Sequence, residues 1–231
     1  MQALAIDTSS ETLSVALLQD GHIKAEVFVD AARNHSVLLL PAIRYAYDVT
    51  GLCFGETDLF VCTLGPGSFT GLRVGVSTVK GLAIATGKPV VGLSSLEALA
   101  ANLGPVSVPV CPMLDAGRGQ IYTAIYQMNG NSLPELSGEE RISDLNVFLS
   151  GLRSDMVFLG SGALKYAESI KKLLPHSSFA REYHCHIRAS VVGLLGMEKF
   201  QEGDILDVLT FVPRYLRPSE AEKNLACGKT F

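Results

Sequence analysis

The chain has 231 residues, of which 48% are hydrophobic and 18% charged, and its 19 basic and 23 acidic side chains give a net charge of −4. This length can bury a substantial core as one large domain or two small ones, and the composition argues against disorder. Basic residues gather mildly only from Arg214 to Lys229, and tryptophan is absent. The composition therefore argues against a module that binds nucleic acid by itself; another subunit would have to supply most of the binding.

The cysteines predict a reducing compartment. They are five, an odd number, and no two have the Cys-x-x-Cys spacing of a disulfide or zinc motif. No basic stretch precedes the first apolar residues, and no apolar run approaches the roughly 18 residues that span a bilayer. We therefore expect a cytoplasmic protein with no membrane segment. The cysteines are Cys53, Cys62, Cys111, Cys185 and Cys227.

The N-terminal residues predict an antiparallel meander. The three expected strands are Ala3–Ile6, Leu13–Leu18 and Ala25–Val29. Asp20-Gly21, between the second and third strands, is the dipeptide typical of a tight hairpin. Asp7 directly follows the first strand and opens a polar turn.

Helices and strands then alternate. Ser36 is placed to cap a helix that runs to about Asp48, in which Pro41 is tolerated only near the first turns. Gly87-Lys88-Pro89 ends a second helix. The expected elements after the first helix are a strand Leu59–Leu64, a glycine-rich loop, a helix from about Gly71 to Thr86 and a strand Val90–Leu93.

The order strand, aspartate, turn, strand occurs twice. Val110–Tyr126 repeats the N-terminal arrangement, with Asp115 in the place of Asp7 and the turn residues Asn129-Gly130-Asn131 after it. Such a duplication predicts two related lobes, and Gly104-Pro105 suggests a boundary between domains 1–104 and 105–231, with a C-terminal helix free to pack back on the first lobe. The remaining expected elements are a strand Met156–Gly160, a helix Ala163–Leu174 and a helix near Ser190–Glu202.

Asp7 and Asp115 have two interpretations. In two-lobe folds such turns face an interlobe cleft, where backbone amides hold nucleotide phosphates and the aspartates orient a metal or its waters. Alternatively, each aspartate only accepts hydrogen bonds from the amides of its own turn. The repeated context leaves both interpretations open.

The stretch LGPGSFTGLRVG, residues 64–75, is also open to two interpretations. It is not a P-loop, because Leu72 stands after Gly71 where that motif has lysine. Free N–H groups at the start of the following helix would favour an anion. A compact strand-to-helix turn would equally use glycines for positive φ angles, and the spacing alone favours the turn.

The two N-terminal helices are candidates for the core or for a protein interface. The helix from Gly71 to Thr86 is rich in small residues, which let another helix approach closely. The helix Val37–Asp48 is apolar on nearly every side and should be buried on every side. The apolar side chains of this helix are buried either against the rest of this molecule or against another protein.

The sequence lacks the patterns of metal-dependent or hydrolytic catalysis. There is no HExxH motif, no histidine pair at helical spacing and no Gly-x-Ser-x-Gly nucleophile elbow. We therefore expect neither a metal site nor catalytic residues.

Over essentially its whole length the chain resembles the TsaB (YeaZ) family. The string GPGSFTGLR, residues 65–73, is highly specific to that family. The other matching segments are LAIDTS at residues 4–9, His35-Ser36 with Leu39 and Pro41, SSLEALA at residues 94–100, and Tyr215-Leu216-Arg217.

The resemblance implies an α/β fold of the actin/Hsp70/sugar-kinase type (ASKHA, ribonuclease H-like), with two lobes of duplicated βββαβαβ order. It also implies a non-catalytic subunit that binds and activates TsaD in forming N6-threonylcarbamoyladenosine at position 37 of tRNAs that read codons beginning with A. TsaE is then a further partner, and tRNA is reached only through the complex.

The same resemblance implies the site residues. The helices Ser36–Asp48 and Gly71–Thr86 would bind TsaD, while the nucleotide cleft would be vestigial, with no tightly bound cofactor and only weak ATP or ADP binding there or at a complex interface. The implied interface residues are His35, Ser36, Leu39, Ile43, Thr70, Arg73, Val74, Ser77, Thr78 and Gly81. The implied remnants of the cleft are Asp7, Thr8, Ser9, Asp115, Gly117 and Arg118.

Two departures and two alternatives accompany the resemblance. Ser95 and Leu99 stand where the catalytic relatives have their HxxxH metal ligands. Gly117 stands where the family usually has arginine, and Arg118 is the candidate substitute. The alternative functions are an independent weak ATPase or glycoprotease-like (M22) peptidase, and a homodimeric regulatory protein that uses the same apolar helices.

Overall fold

The computed structural model describes residues 1–31, 34–128, 133–152 and 155–217. The turn predicted at Asn129-Gly130-Asn131, Cys227 and the end of the basic stretch at Lys229 lie outside the described residues. The strands are β1 Gln2–Asp7, β2 Thr12–Gln19, β3 His22–Asp30, β4 Leu59–Gly65, β5 Val90–Ser94, β6 Val110–Gly117, β7 Gln120–Gln127, β8 Glu135–Asp144, β9 Val157–Leu159 and β10 Ser178–Phe179. The α-helices are α1 His35–Thr50, α2 Phe69–Thr86, α3 Ser95–Ala101, α4 Leu145–Ser150, α5 Ser161–Lys165, α6 Ala167–Leu173 and α7 Ala189–Gln201.

The two halves of the chain form sheets with the same topology. The first sheet has the order β3-β2-β1-β4-β5, with β1, β2 and β3 antiparallel and β4 and β5 parallel to β1. The second sheet repeats this as β8-β7-β6-β9-β10. Both lobes follow the βββαβαβ order, with α5 and α6 together in the place of one helix. The predicted α/β fold with duplicated lobes is confirmed.

The β2–β3 hairpin fixes the register of the first sheet. Asp20 and Gly21 both have positive φ angles, 53° and 77°, which match the twist of a two-residue hairpin. Because side chains alternate along a strand, Val15 and Leu17 then point to one face of the sheet, and Ala16 and Leu18 to the other.

Helices cover both faces of each sheet. α1 and α2 pack on the outer face of the first sheet, and α4, α5 and α6 on the outer face of the second. α3 and α7 lie between the sheets, where one hydrophobic cluster joins residues of both lobes. The division into domains 1–104 and 105–231 stays a prediction.

Among the residues that the structure describes, no helix combines the length and the apolar character that crossing a membrane requires.

α7 approaches the first sheet closely because it carries glycines. A Cβ atom at Gly193 would lie 2.3 Å from a methyl carbon of Leu18 and 3.1 Å from the Cβ of Ala5. A Cβ atom at Gly196 would lie 2.4 Å from a methyl carbon of Val61. The absence of a side chain at both glycines therefore lets the helix backbone sit directly on the strands.

Some sequence-based boundaries are wrong. Ser36 does not cap α1: the helix begins at His35, and Asn34 occupies the cap position without a side-chain cap bond. The single helix expected at Ala163–Leu174 is two helices that meet at Tyr166. The sequence did not predict β8, α3, α4 or the short β10.

The start of α7 is held on β3 by the Glu26 carboxylate. Glu26 accepts hydrogen bonds from Arg188 Nη2 at 2.7 Å, Ser190 Oγ at 2.9 Å and the Ser190 backbone N–H at 3.1 Å. Burial alone would raise the pKa of the Glu26 carboxyl, but the bonds from Arg188 and Ser190 outweigh it and hold this pKa below its usual value. The charged form of Glu26 therefore stabilises the fold.

We expect part of the stability of this protein to be acid-labile because of Glu26. Its folded-state pKa is lowered, so its contribution is complete above the ordinary glutamate pKa of 4.5 and is lost as the pH falls through the lower folded value. Glu26→Gln should lower the free energy of unfolding by about 2 kcal/mol at neutral pH. The free energy of unfolding of this variant should also fall less steeply as the pH is lowered. Urea unfolding across the acidic range measures both effects. Glu11→Gln, at an exposed carboxylate, is the control; equal acid profiles for Glu26→Gln and the unmodified chain would contradict the expectation.

Candidate functional site

The glycine loop packs against the turn that follows β1. The Ser68 backbone N–H donates to the Ser9 carbonyl oxygen at 2.7 Å, and the Thr8 hydroxyl donates to the Gly71 carbonyl oxygen at 2.8 Å. Cβ atoms at Gly67 and Gly71 would lie 2.1 and 2.0 Å from the backbone oxygens of Ser9 and Thr8. The glycines are therefore needed for close backbone contact within the first lobe, which favours the interpretation of the loop as a turn.

Asp7 is sealed inside this contact. Its side chain is fully buried, and Oδ1 accepts from the Thr63 hydroxyl and the Ser9 hydroxyl, both at 2.6 Å, and from the Ser9 N–H at 3.2 Å. Oδ2 has no hydrogen-bond partner, and burial raises the pKa of this carboxyl. Thr8 and Ser9 are also buried, so these three residues are closed off from solvent in this structure, and their expected role as remnants of a nucleotide cleft stays a prediction.

The matching turn of the second lobe is accessible. Asp115 accepts from Lys165 Nζ at 2.6 Å, the Tyr166 hydroxyl at 3.1 Å and the Gly117 N–H at 3.2 Å. Burial would raise the pKa of Asp115, but the Lys165 bond and the other donors outweigh it and lower this pKa. Gly117 and Arg118 both have positive φ angles, and Arg118 is exposed. The two equivalent aspartates thus sit in opposite environments, one sealed and one partly open.

A cavity of about 350 Å³ lies between the first sheet and the second lobe. None of the six expected cleft residues lines it. Its polar lining consists of Ser94, Glu97, Tyr126, Glu140, Lys199 and Arg214. Nothing in the sequence indicated this cavity, because these residues come together only through the packing of distant strands.

The charged groups of the cavity are paired with one another. Glu140 Oε1 accepts from the Ser94 hydroxyl and, at 2.7 Å, from the Tyr126 hydroxyl. Glu140 Oε2 lies 3.0 Å from Arg214 Nη1 as an ion pair, although without hydrogen-bond geometry. Glu97 and Lys199 form a second pair at 2.9 Å. The cavity thus holds a network that joins the lobes, with both acids and both bases already matched.

α1 and α2 divide the expected interface residues into two groups. His35, Leu39 and Ile43 are buried, at 6%, 1% and 6% exposure, because α1 turns this face toward the sheet. In the isolated chain these side chains belong to the core, and their expected role at an interface stays a prediction. The other expected interface residues lie at the protein surface. Those that are exposed are Ser36, Thr70, Arg73, Ser77 and Gly81, and those that are half-buried are Val74 and Thr78.

The opposite face of α1 carries exposed apolar side chains that the sequence did not single out. Val37 is 69% exposed, Leu40 58%, Tyr45 60% and Val49 55%, and Ile84 of the adjoining α2 is 59% exposed. These side chains lie on both sides of the Arg44–Asp48 ion pair, whose side chains are 84% and 66% exposed, so this face of α1 is mixed in character. Exposed apolar side chains gathered on one face make it a candidate for contact with another protein.

Ser95 and Leu99 lie fully buried in α3. The Ser95 hydroxyl has no hydrogen-bond partner. Among the described residues, no group of three or more histidine, cysteine, aspartate or glutamate side chains could hold a metal ion.

We expect the isolated chain to bind ATP or ADP only weakly. The Ser68 amide of the glycine loop is already bonded to Ser9, Asp7 is sealed, and no lysine follows Gly71. Calorimetric titration with ATP should give a dissociation constant above the micromolar range. A submicromolar value would contradict this expectation. Titration repeated in the presence of a partner protein distinguishes nucleotide binding in the cleft of this chain from nucleotide binding at a complex interface.

Comparisons with known proteins agree with this architecture. Residues 29–225 match the family model TsaD, described as tRNA N6-adenosine threonylcarbamoyltransferase. The chain is 35% identical to the tRNA threonylcarbamoyladenosine biosynthesis protein TsaB of Bacillus subtilis, an alignment that covers 96% of each chain. The solved structure of YeaZ from Pseudomonas aeruginosa superposes with a TM-score of 0.81 at 27% identity, covering 93% of this chain and 99% of that one.

A more distant likeness shows the fold alone. Component A of the (R)-2-hydroxyglutaryl-CoA dehydratase of Acidaminococcus fermentans superposes with a TM-score of 0.52 at 12% identity, covering 86% of this chain and 98% of that one. The fold class predicted from the resemblance is confirmed. The family model places the chain among TsaD-type sequences. Since the Bacillus subtilis relative is 35% identical over 96% of this chain, the chain belongs to the TsaB family.

Proposed function

We propose that this chain is a non-catalytic subunit that binds a TsaD-type threonylcarbamoyltransferase and activates it for the modification of tRNA. The observation that carries the proposal is the group of exposed apolar side chains on α1, around the Arg44–Asp48 ion pair and beside the small exposed residues of α2. These apolar side chains are Val37, Leu40, Tyr45 and Val49. The chain belongs to a family whose Bacillus subtilis member is named for threonylcarbamoyladenosine biosynthesis. This membership supports tRNA modification as the reaction in which the subunit takes part.

The surface has the chemistry of a helix-packing interface. Ser77 and Gly81 are exposed on α2, and a Cβ atom at Gly81 would meet no atom within 4 Å. Small residues let a partner helix come close, and the α1 side chains beside them offer apolar contact area. A TsaD-type protein presents a related fold, so that two similar helix pairs would pack against each other. TsaE and tRNA would join this assembly through the complex.

The proposal gives this chain no active site of its own. The charged groups of the interlobe cavity are paired. By the family resemblance, Ser95 and Leu99 would occupy the positions of the metal ligands of the catalytic relatives. The independent ATPase and peptidase remain the alternatives. ATP turnover or peptide cleavage by the purified chain, abolished by substitution in the cavity or the Asp115 turn, would favour them.

Reconstitution tests the proposed function directly. Threonylcarbamoyl transfer to tRNA is measured with the TsaD-type enzyme, TsaE and the threonylcarbamoyl adenylate donor, with this chain included or omitted. We expect transfer to depend on the chain and to be accompanied by a complex on size-exclusion chromatography. Equal rates without the chain would overturn activation. A complex of the chain with itself that persists when the enzyme is added would favour the homodimeric alternative.

A further inference from the structure

The last described residues cross from one lobe to the other. The Arg214 backbone N–H donates to the Leu64 carbonyl oxygen of the first lobe at 2.7 Å. Three residues later, the Arg217 guanidinium donates to the Ala116 carbonyl oxygen of the second lobe at 2.9 Å and to the Gln120 side-chain oxygen. Residues 214–217, here named the clasp, thus touch the glycine loop at one end and the turn at residues 116–120 at the other.

On the first lobe the clasp is packed as well as hydrogen-bonded. The rings of Tyr215 and Phe69 lie 4.6 Å apart between centroids, and Arg73 Nε donates to the Tyr215 hydroxyl at 3.1 Å. The Arg73 guanidinium lies 3.9 Å from the centre of the Phe69 ring. A Cβ atom at Gly65 would lie 2.6 Å from the Arg214 carbonyl oxygen, so the glycine allows the clasp to lie directly on the loop.

On the second lobe the clasp contacts the exposed turn of the β6–β7 hairpin, whose Gly119 carbonyl oxygen also accepts from the Leu145 N–H at 3.1 Å. Gly117, Arg118 and Gly119 have φ angles of 70°, 56° and 75°, and the turn is partly or fully exposed. Asp115 anchors its beginning through the Gly117 N–H. Arg217 anchors both ends from outside, at Ala116 and Gln120, with a guanidinium fork that no other side-chain type can supply in this geometry.

We propose that the clasp is a latch between the lobes. The shared core around α3 and α7 and the Glu140 network of the cavity already join the lobes, and the clasp adds a link between the glycine loop and the 116–120 turn. When the latch is formed, these two turns move together; when it is released, they move independently. The latch also contacts α2 through Phe69 and Arg73, but it is a property of the isolated chain and does not depend on the proposed partner.

Amide hydrogen exchange, followed by mass spectrometry on the full-length chain, tests the latch. Arg217→Gln removes the contact of the clasp with the 116–120 turn and leaves the Arg214–Glu140 ion pair in place, and Tyr215→Ala removes the stack on the first lobe. Because hydrogen bonds to charged groups are the stronger kind, release should speed exchange by about tenfold or more. A latch predicts that either single variant speeds exchange in both segments, residues 64–72 and 113–121. The double variant should exchange no faster than the faster single variant, because either substitution alone already disconnects the two turns.

Controls separate the latch from local contacts and from loss of the fold. Arg181→Gln, at an exposed arginine, should leave both segments unchanged, and unchanged exchange in β1 shows that the fold is intact. The latch is overturned if Arg217→Gln affects only residues 113–121 and Tyr215→Ala affects only residues 64–72. If Arg217→Gln does not fold, Arg217→Lys keeps the charge without the fork and should give intermediate exchange in both segments; unchanged exchange in residues 64–72 would equally overturn the proposal.

Discussion

Leu40→Glu should weaken binding to a TsaD-type partner by about thirtyfold or more, because a charge at the centre of a desolvated contact typically costs about 2 kcal/mol. Leu40 is 58% exposed, so the variant should keep its circular dichroism spectrum and melting temperature. Ser77→Arg, on the exposed face of α2, should have a similar effect because a large side chain forces the two helix pairs apart. Titration calorimetry with the purified partner measures both losses.

The chain offers a closely matched control for this experiment. Val37 and Val147 are each the third residue of a helix, α1 and α4, and are 69% and 68% exposed. Val37→Glu should weaken the complex, whereas Val147→Glu, on the second lobe, should not. Lys165 would be a poor control, since it is bonded to Asp115. If folded Leu40→Glu and Ser77→Arg proteins bind as tightly as the unmodified chain, the interface lies elsewhere. Leu39→Glu cannot decide the question because Leu39 is in the core.

The second large effect is expected at Gly71. A methyl group there would lie 2.0 Å from the Thr8 carbonyl oxygen, a backbone atom that cannot turn aside. Gly71→Ala should therefore lower the unfolding free energy by about 3 kcal/mol, with a fall in melting temperature of roughly 5 to 10 °C. Gly81→Ala, on the same helix with open space around it, should be neutral or stabilise by up to about 1 kcal/mol through helix propensity.

Urea unfolding of the two alanine variants, side by side, distinguishes packing from helix propensity. Both substitutions add the same atoms to α2, so opposite signs can come only from the contact with the β1–β2 turn. Equal shifts for Gly71→Ala and Gly81→Ala would mean that the glycine loop does not need its close contact with Thr8.

The sequence predicted the elements of the first lobe well because local signals marked them. Asp20-Gly21 indicated the hairpin, and Gly87-Lys88-Pro89 ended α2 where the structure ends it, with Gly87 in the left-handed conformation. β8 had no such signal. It is an edge strand that is exposed over most of its length and buries Glu140, so apolar alternation is missing from residues 135–144.

The candidate site was harder to predict, since which face of a helix is buried depends on tertiary packing. Leu39 and Leu40 are neighbours in a helix that is apolar nearly all round, and only the contact of α1 with β2 and β3 decides which of them is buried. The pairing of Ser94, Glu140 and Arg214 likewise follows from topology rather than from any local motif.

The position of α7 links the two halves of this chain during synthesis. The helix is near the end of the described sequence, yet its glycines seat it on Ala5, Leu18 and Val61 of the first sheet. While the ribosome is still translating the second lobe, that face of the first sheet has only α3 against it, although its strands are complete. The first half must therefore wait for residues 189–201 before it can mature, and a chain truncated ahead of them exposes an apolar sheet face to aggregation.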